Sequence, residues 1–284
     1  MDLKHKISYW VKGKKQNQKI KLRIEGDYVY YDTKYMKKPN ISSHVLVDML
    51  GFNKYASVGK TIMSNFGLIN KGEFDPYQGY KGGIAEIFAK QYLMKKYGPQ
   101  ADIEAFTLSM FKNYNQFPNE APFSGVLDLM IHMPIKMPIE VKSKEDREYE
   151  RIAIHHMYPK DQCVQGANQA MLSHVDKYMM LWVFLTPSVS KLLKSIAKED
   201  LWMWGENYAL AAQDLNITSD DFRFHSKIFT IDERMIKAYR EKGLKLYNEF
   251  YKNRRIKKKM FNSAELKEIK AYIASQQLPG SSSQ

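Results

Sequence analysis

Residues 123–145 read FSGVLDLMIHMPIKMPIEVKSKE, and this stretch decides the fold. Two segments, FSGVLDLMI and PIEVKSK, have the character of β-strands, and HMPIKMP between them has that of a turn. Side chains alternate between the faces of a strand, so Glu140 and Lys142 point the same way while Ile139 and Val141 point into a core. The turn, with Pro134 and Pro138, folds the second strand back beside the first and brings Asp128 next to that pair. Two carboxylates and an ammonium on one strand face make a divalent-metal site with a built-in cation, which is the chemistry that cutting a phosphodiester requires. Taken alone, the three residues read equally well as a solvated, charged strand face.

The chain has 284 residues and is 44% hydrophobic, enough for one large core or a core with an added lobe. No apolar run approaches the ~20 residues of a membrane helix, and the Lys-rich N-terminus lacks the apolar stretch of a signal peptide. Cys163 is the only cysteine, which excludes a disulfide within the chain and thiolate metal clusters. The expectation is a soluble, cytoplasmic protein with no membrane partner. Net charge is +13 and is concentrated at the ends: residues 1–40 carry 11 Lys and Arg against 4 Asp and Glu, and residues 231–284 carry 13 against 6. A near-neutral middle holding the carboxylates between basic ends suggests a polyanion gripped at the ends and processed in the middle. Solubilising charge on the ends is the plainer alternative.

Hydrophobic spacing predicts short strands around Ile7–Val11 and Ile20–Ile24, a third at YVYYD, and a helix from Ser42 to Gly51 begun by a serine cap. A helix over about Gly82–Tyr97 places Ile84, Ile87, Phe88 and Tyr92 at helical spacing and stops at Gly98-Pro99. A helix from about Lys160 to His174 leads into YMMLWVFL, an apolar run that implies a strand covered on both faces. After Pro187 the chain reads as mostly helical, over 191–203, 231–252 and 263–276, with a disordered tail.

Several further residues carry candidate chemistry. Asp128 and Glu140 are proposed ligands of Mg²⁺ or Mn²⁺, hard ions that take oxygen donors, and the Val141 carbonyl between the functional side chains is a further candidate. Lys142 would orient or deprotonate the attacking water and offset charge on the phosphate. Glu86, on the helix led by Gly82 and Gly83, can complete the site for one or two ions; an ordinary exposed first-turn glutamate is the competing reading. Gln162, Gln165 and Gln169 form one helical stripe that can hold the lysine or the water. His155 and His156 read as loop or DNA-contact residues. The segment LYNEFYKNRRIKKKMF reads as a helix end that contacts phosphates through Arg254, Arg255, Lys257, Lys258 and Lys259.

In these residues the chain resembles the PD-(D/E)XK nuclease superfamily, and within it the phage lambda exonuclease-like and YqaJ-type viral recombinase branch. LGFNKYASVGK, GGIAEIFAKQYLMKKYG, FSGVLDL, IEVKS and QGANQAML are similar, in order, to that branch's motifs, and FTIDERMIKAYREKGLKLYNEF to its closing helix. The resemblance implies an α/β (α+β) restriction-endonuclease-like core, a central mixed β-sheet flanked by helices, over residues 41–250. A basic N-terminal arm (1–40) would precede it and a basic helical C-terminal extension (251–284) would follow. It implies that Glu86, Asp128 and Glu140 bind Mg²⁺, that Lys142 is catalytic and that Gln165 supports the site. Related RecB-type nucleases place a tyrosine where this chain has Gln169. Where the family uses an N-terminal arginine for the 5′-phosphate of a DNA end, residues 26–50 offer only Lys37 and Lys38. The implied activity is a metal-dependent 5′→3′ exonuclease on double-stranded DNA, phage-encoded in a bacterial host, with a single-strand annealing protein as partner and a ring-shaped homotrimer as assembly. A structure- or site-specific endonuclease of resolvase or restriction type, or a DNA-binding module without catalysis, are the alternatives.

Overall fold

The computed structural model describes residues 20–32, 40–52, 56–66, 68–69, 75–106, 116–199 and 207–276. In chain order the elements begin with β1 (Lys21–Glu25), β2 (Tyr28–Asp32), β3 (Ile41–Ser42), α1 (Ser43–Met49), α2 (Val58–Asn65) and α3 (Pro76–Tyr97). There follow β4 (Asp102–Ala105), β5 (Phe123–Ser124), β6 (Leu129–Met133), β7 (Met137–Glu145), α4 (Lys160–Leu172) and β8 (Lys177–Leu185). The rest are α5 (Pro187–Glu199), α6 (Tyr208–Asp214), β9 (Phe222–Thr230), α7 (Glu233–Tyr251), β10 (Arg255–Lys257) and α8 (Ser263–Gln276). The expected strand at Ile7–Val11 lies outside the described residues. No helix among the described residues is long and apolar enough to cross a membrane.

The chain divides into two compact units, residues 74–236 and residues 1–73 with 237–284. The division therefore does not follow the expected arm, core and extension, with boundaries at 40 and 250. The reason is in the sheet of the unit formed by residues 1–73 and 237–284: β10, from the C-terminal part of the chain, pairs antiparallel with β2, which also pairs with β1. The segment expected to be a basic helix end is thus a strand, entered after α7 stops at Tyr251. Arg254, at φ +52°, makes the turn between them. Aromatic packing consolidates this unit, with Phe250 edge-on to Phe66 at 4.3 Å and 4.5 Å from the Tyr31 ring. The Tyr272 hydroxyl of α8 donates to the Ile20 carbonyl at 2.6 Å.

The unit of residues 74–236 is a mixed α/β structure around a five-stranded sheet, ordered β4-β6-β7-β8-β9. β7 and β8 run parallel; the other neighbours are antiparallel. As YMMLWVFL required, β8 is interior, and Tyr178 to Leu185 are all buried. Met179, Leu181, Val183 and Leu185 share a core with Ile139 and Val141 of β7 and with Tyr80, Ile84 and Phe88 of α3. On the alternate face Gly166 of α4 lies so close to Tyr178 that a Cβ there would come 2.4 Å from its ring. Glycine is thus what lets α4 settle onto the strand.

Two expectations change here. α3 begins six residues before Gly82, where Pro76 occupies the first turn and the Asp75 carboxylate accepts from the Tyr77 N–H at 3.1 Å. Gly82 and Gly83 are therefore interior, and Gly83 serves close packing: a Cβ would stand 2.2 Å from the Tyr208 ring of α6. Glu86 consequently lies well inside the helix and not in its first turn. Second, the stretch after Pro187 is mostly helical as expected but also contributes a strand that was not: FRFHSKIFT forms the nine-residue β9 against β8.

Candidate active site

β6 runs beside β7 only from Leu129–Ile139 to Ile131–Met137. From Glu140 to Glu145, β7 keeps β8 on one side and, among the described residues, has no strand on the other. This open edge is where the predicted residues gather. Asp128, one residue before β6, folds its carboxylate over the edge and accepts the Val141 N–H at Oδ2, 2.8 Å away. A side chain thus takes the peptide group at the point where the ladder with β6 gives out. Glu140 and Lys142, two apart on β7, form an ion pair between Nζ and Oε1.

The second Glu140 oxygen, Oε2, accepts from the Gln169 side-chain amide of α4. Gln169 is therefore the glutamine that touches the acid; Gln165 is buried one turn earlier on the same helix. Gln162 has a packing role, since its Oε1 accepts from the Trp182 indole at 2.8 Å. The Gln169 amide oxygen is buried and, among the described residues, has no hydrogen-bond partner. Sequence spacing had placed Gln169 on one stripe with Gln162 and Gln165 and had not singled it out.

Glu86 reaches the same cluster from α3. Its carboxyl is pushed up to about 9, first by burial, then by the charges of Asp128 and Glu140, with Lys142 opposing. Asp128 is pushed up to about 7 by burial and the Glu140 charge, against Lys142 and the Val141 hydrogen bond. For Lys142, burial opposes the charged form, but Glu140, Asp128, the hydrogen bond to Glu140 and Glu86 outweigh it, holding the ammonium above the ordinary lysine value. Three carboxyls thus share one ammonium in a place poor in water. Glu86 holds its proton at neutral pH unless further positive charge enters. In the present arrangement no three His, Cys, Asp or Glu side chains among the described residues are gathered closely enough to hold an ion.

No family model matches this chain. Nor does any curated protein. Among solved structures a similar chain is the crystal structure of an alkaline exonuclease from Laribacter hongkongensis, with a TM-score of 0.45 and 11% sequence identity. The match covers 84% of this chain and 91% of that one, and at that level it carries nothing over to this protein.

Lys37 and Lys38 fall outside the described residues. Arg254 pairs with Asp32 at 3.3 Å, and Lys258 stands 4.0 Å from Asp27. Arg255 pairs with Glu249 and lies 4.3 Å over the Tyr28 ring. Lys257 and Lys259 are exposed. His156, at φ +55°, and His225 both hydrogen-bond the Tyr158 hydroxyl, at 3.0 and 3.3 Å.

Proposed function

We propose that this protein is a metal-dependent deoxyribonuclease that hydrolyses phosphodiester bonds at the open edge of β7. The observation that carries the reading is the convergence of Glu86, Asp128, Glu140 and Lys142 there, an excess of buried and half-buried carboxyl groups over cations. The donor set is all oxygen, which suits Mg²⁺ or Mn²⁺, and the raised carboxyls of Glu86 and Asp128 mark the need for positive charge. Glu86, Asp128 and Glu140, with the Val141 carbonyl, would hold one or two such ions, whose Lewis acidity activates water and polarises a phosphoryl oxygen.

The chain's own residues do the remainder. Lys142 supplies a fixed cation beside the phosphate as negative charge builds on its oxygens. Gln169 fixes one oxygen of Glu140 while Lys142 holds the other, so the acid is oriented before substrate arrives. The buried Gln169 carbonyl then offers an acceptor to a water in the site.

The 5′→3′ exonuclease form, acting on double-stranded DNA, rests on the resemblance of the motifs, as do the annealing-protein partner and the ring trimer. Linear duplexes labelled at the 5′ or the 3′ end, with and without a 5′-phosphate, test it together with covalently closed circles. The expected result is release of labelled nucleotides from linear DNA with Mg²⁺ or Mn²⁺, and a loss of about 10²–10³-fold in Lys142→Ala. Cutting of closed circles makes the enzyme an endonuclease. Absence of release by wild type, or a Lys142→Ala variant as active as wild type, removes the enzymatic reading.

A further inference from the structure

Beyond Lys142 the open edge of β7 continues through Ser143, Lys144 and Glu145. Lys144 repeats the facing of Glu140 and Lys142, and its ammonium lies 3.7 Å from Glu148. From α3, Lys81 enters the same stretch. The residue is only 9% exposed, yet among the described residues its ammonium has no ion pair or hydrogen bond. Its described partner is the ring of Tyr77, 5.2 Å away. Lys194 of α5 approaches the same ring at 4.9 Å.

The acids nearby are already committed. Glu145 accepts from the Tyr77 hydroxyl and pairs with Lys194 at 3.3 Å; Glu148 is shared by Lys144 and Arg151, the latter at 2.9 Å. Lys81 is the cation left over. Burial above all holds its pKa below the ordinary lysine value, with Lys144 and Lys194 adding to the effect and Glu145 and Glu148 opposing it. A largely buried ammonium with no ion pair is costly, and an anion from outside the chain would offset that cost.

We propose that Lys81, flanked by Lys144, seats a backbone phosphate of the DNA strand, next to the phosphate that reacts at Lys142. Two residues of strand separate Lys142 from Lys144, a rise of ~6.8 Å, which carries the bound strand along the open edge of β7. The site deepens the nuclease reading and rests on it only for the identity of the polyanion. A structural role for Lys81, as a prop for Tyr77 alone, makes a different prediction, because a neutral side chain of similar length would serve as well.

The experiment is anisotropy of a labelled linear duplex over a salt series in EDTA, where no cleavage interferes. Lys81→Met keeps the aliphatic stem over Tyr77 and removes the charge. It should bind every duplex sequence more weakly, with the slope of log K against log salt shallower by about 0.9, while its Tm stays at or above that of wild type. Lys81→Arg should keep the wild-type slope. Lys144→Met should also flatten it, and this variant decides the matter if Lys81→Met does not fold. An unchanged slope in the folded variants, or a wild type that binds no DNA, overturns the site. Cleavage by wild type with Mn²⁺ is scored separately: a wild type that binds with the expected slopes yet releases nothing keeps the phosphate site and loses the nuclease.

Discussion

The far half of β7, Glu140 to Glu145, and the segment Arg254 to Lys259 around β10 are both short, densely charged runs that read alike in sequence. Their charges are settled differently. Around β10, Arg254 has Asp32, Arg255 has Glu249 and the Tyr28 ring, and Lys258 has Asp27. Around the near part of β7's open edge, three carboxyls share Lys142, and a little further along a buried lysine makes no ion pair among the described residues. Charge that is balanced locally contributes structure; charge left unbalanced where water is scarce is a demand on a ligand. The count of charged residues does not distinguish them, since both segments are rich in lysine.

Three sets of variants, each with a smaller effect than Lys142→Ala, sharpen that contrast. The largest effect is expected at Gln169, which ties α4 to Glu140: Gln169→Leu should slow nucleotide release by about 10–100-fold, as loss of a group orienting a ligand does. Gln162→Leu, which removes only the bond to Trp182, should affect stability instead. Equal effects on cleavage would break the distinction between the two glutamines.

A smaller effect concerns pH. In EDTA, Glu86 stays protonated in the folded protein up to about 9, whereas the unfolded chain releases that proton near its ordinary value of 4.5. Over that window the folded state binds more protons, so stability is fully present below pH 4.5 and falls as pH rises toward 9. Glu86→Gln should flatten the fall in Tm measured between pH 7 and 9, and Mg²⁺ should flatten it in wild type. A wild-type Tm that rises over that range contradicts the arrangement of the site.

The smallest effect is expected on the β10 side. Lys257→Ala and Lys259→Ala, which remove exposed cations, should each shorten the salt slope of DNA binding by up to about 0.9 if these residues meet phosphate. Arg255→Ala should change the slope less and lower Tm, since its charge is taken by Glu249. The reverse ranking would mean that the β10 ion pairs open when DNA binds.

Much of the framework was legible. YMMLWVFL announced an interior strand because only a segment covered on both faces is apolar at every position, and Ser42 and Gly98 marked helix ends through their capping chemistry. β9 was missed for the opposite reason: in FRFHSKIFT only Phe222 is buried, so an edge strand shows little of the alternation that a half-buried one displays. The start of α3 was masked by Gly82-Gly83, which reads as a terminus and is in fact the place where α6 packs close.

By itself, the sequence determined the alternation that puts Glu140 and Lys142 on one face, since the period of a strand is a local property of the backbone. Tertiary structure alone decided that the β6–β7 ladder ends at Leu129 opposite Ile139, that Gln169 reaches Glu140, and that Lys81 is buried with no ion pair among the described residues. Those outcomes depend on which partners the remainder of the chain has already claimed, and electrostatic balance in a water-poor site is a sum over neighbours distant in sequence.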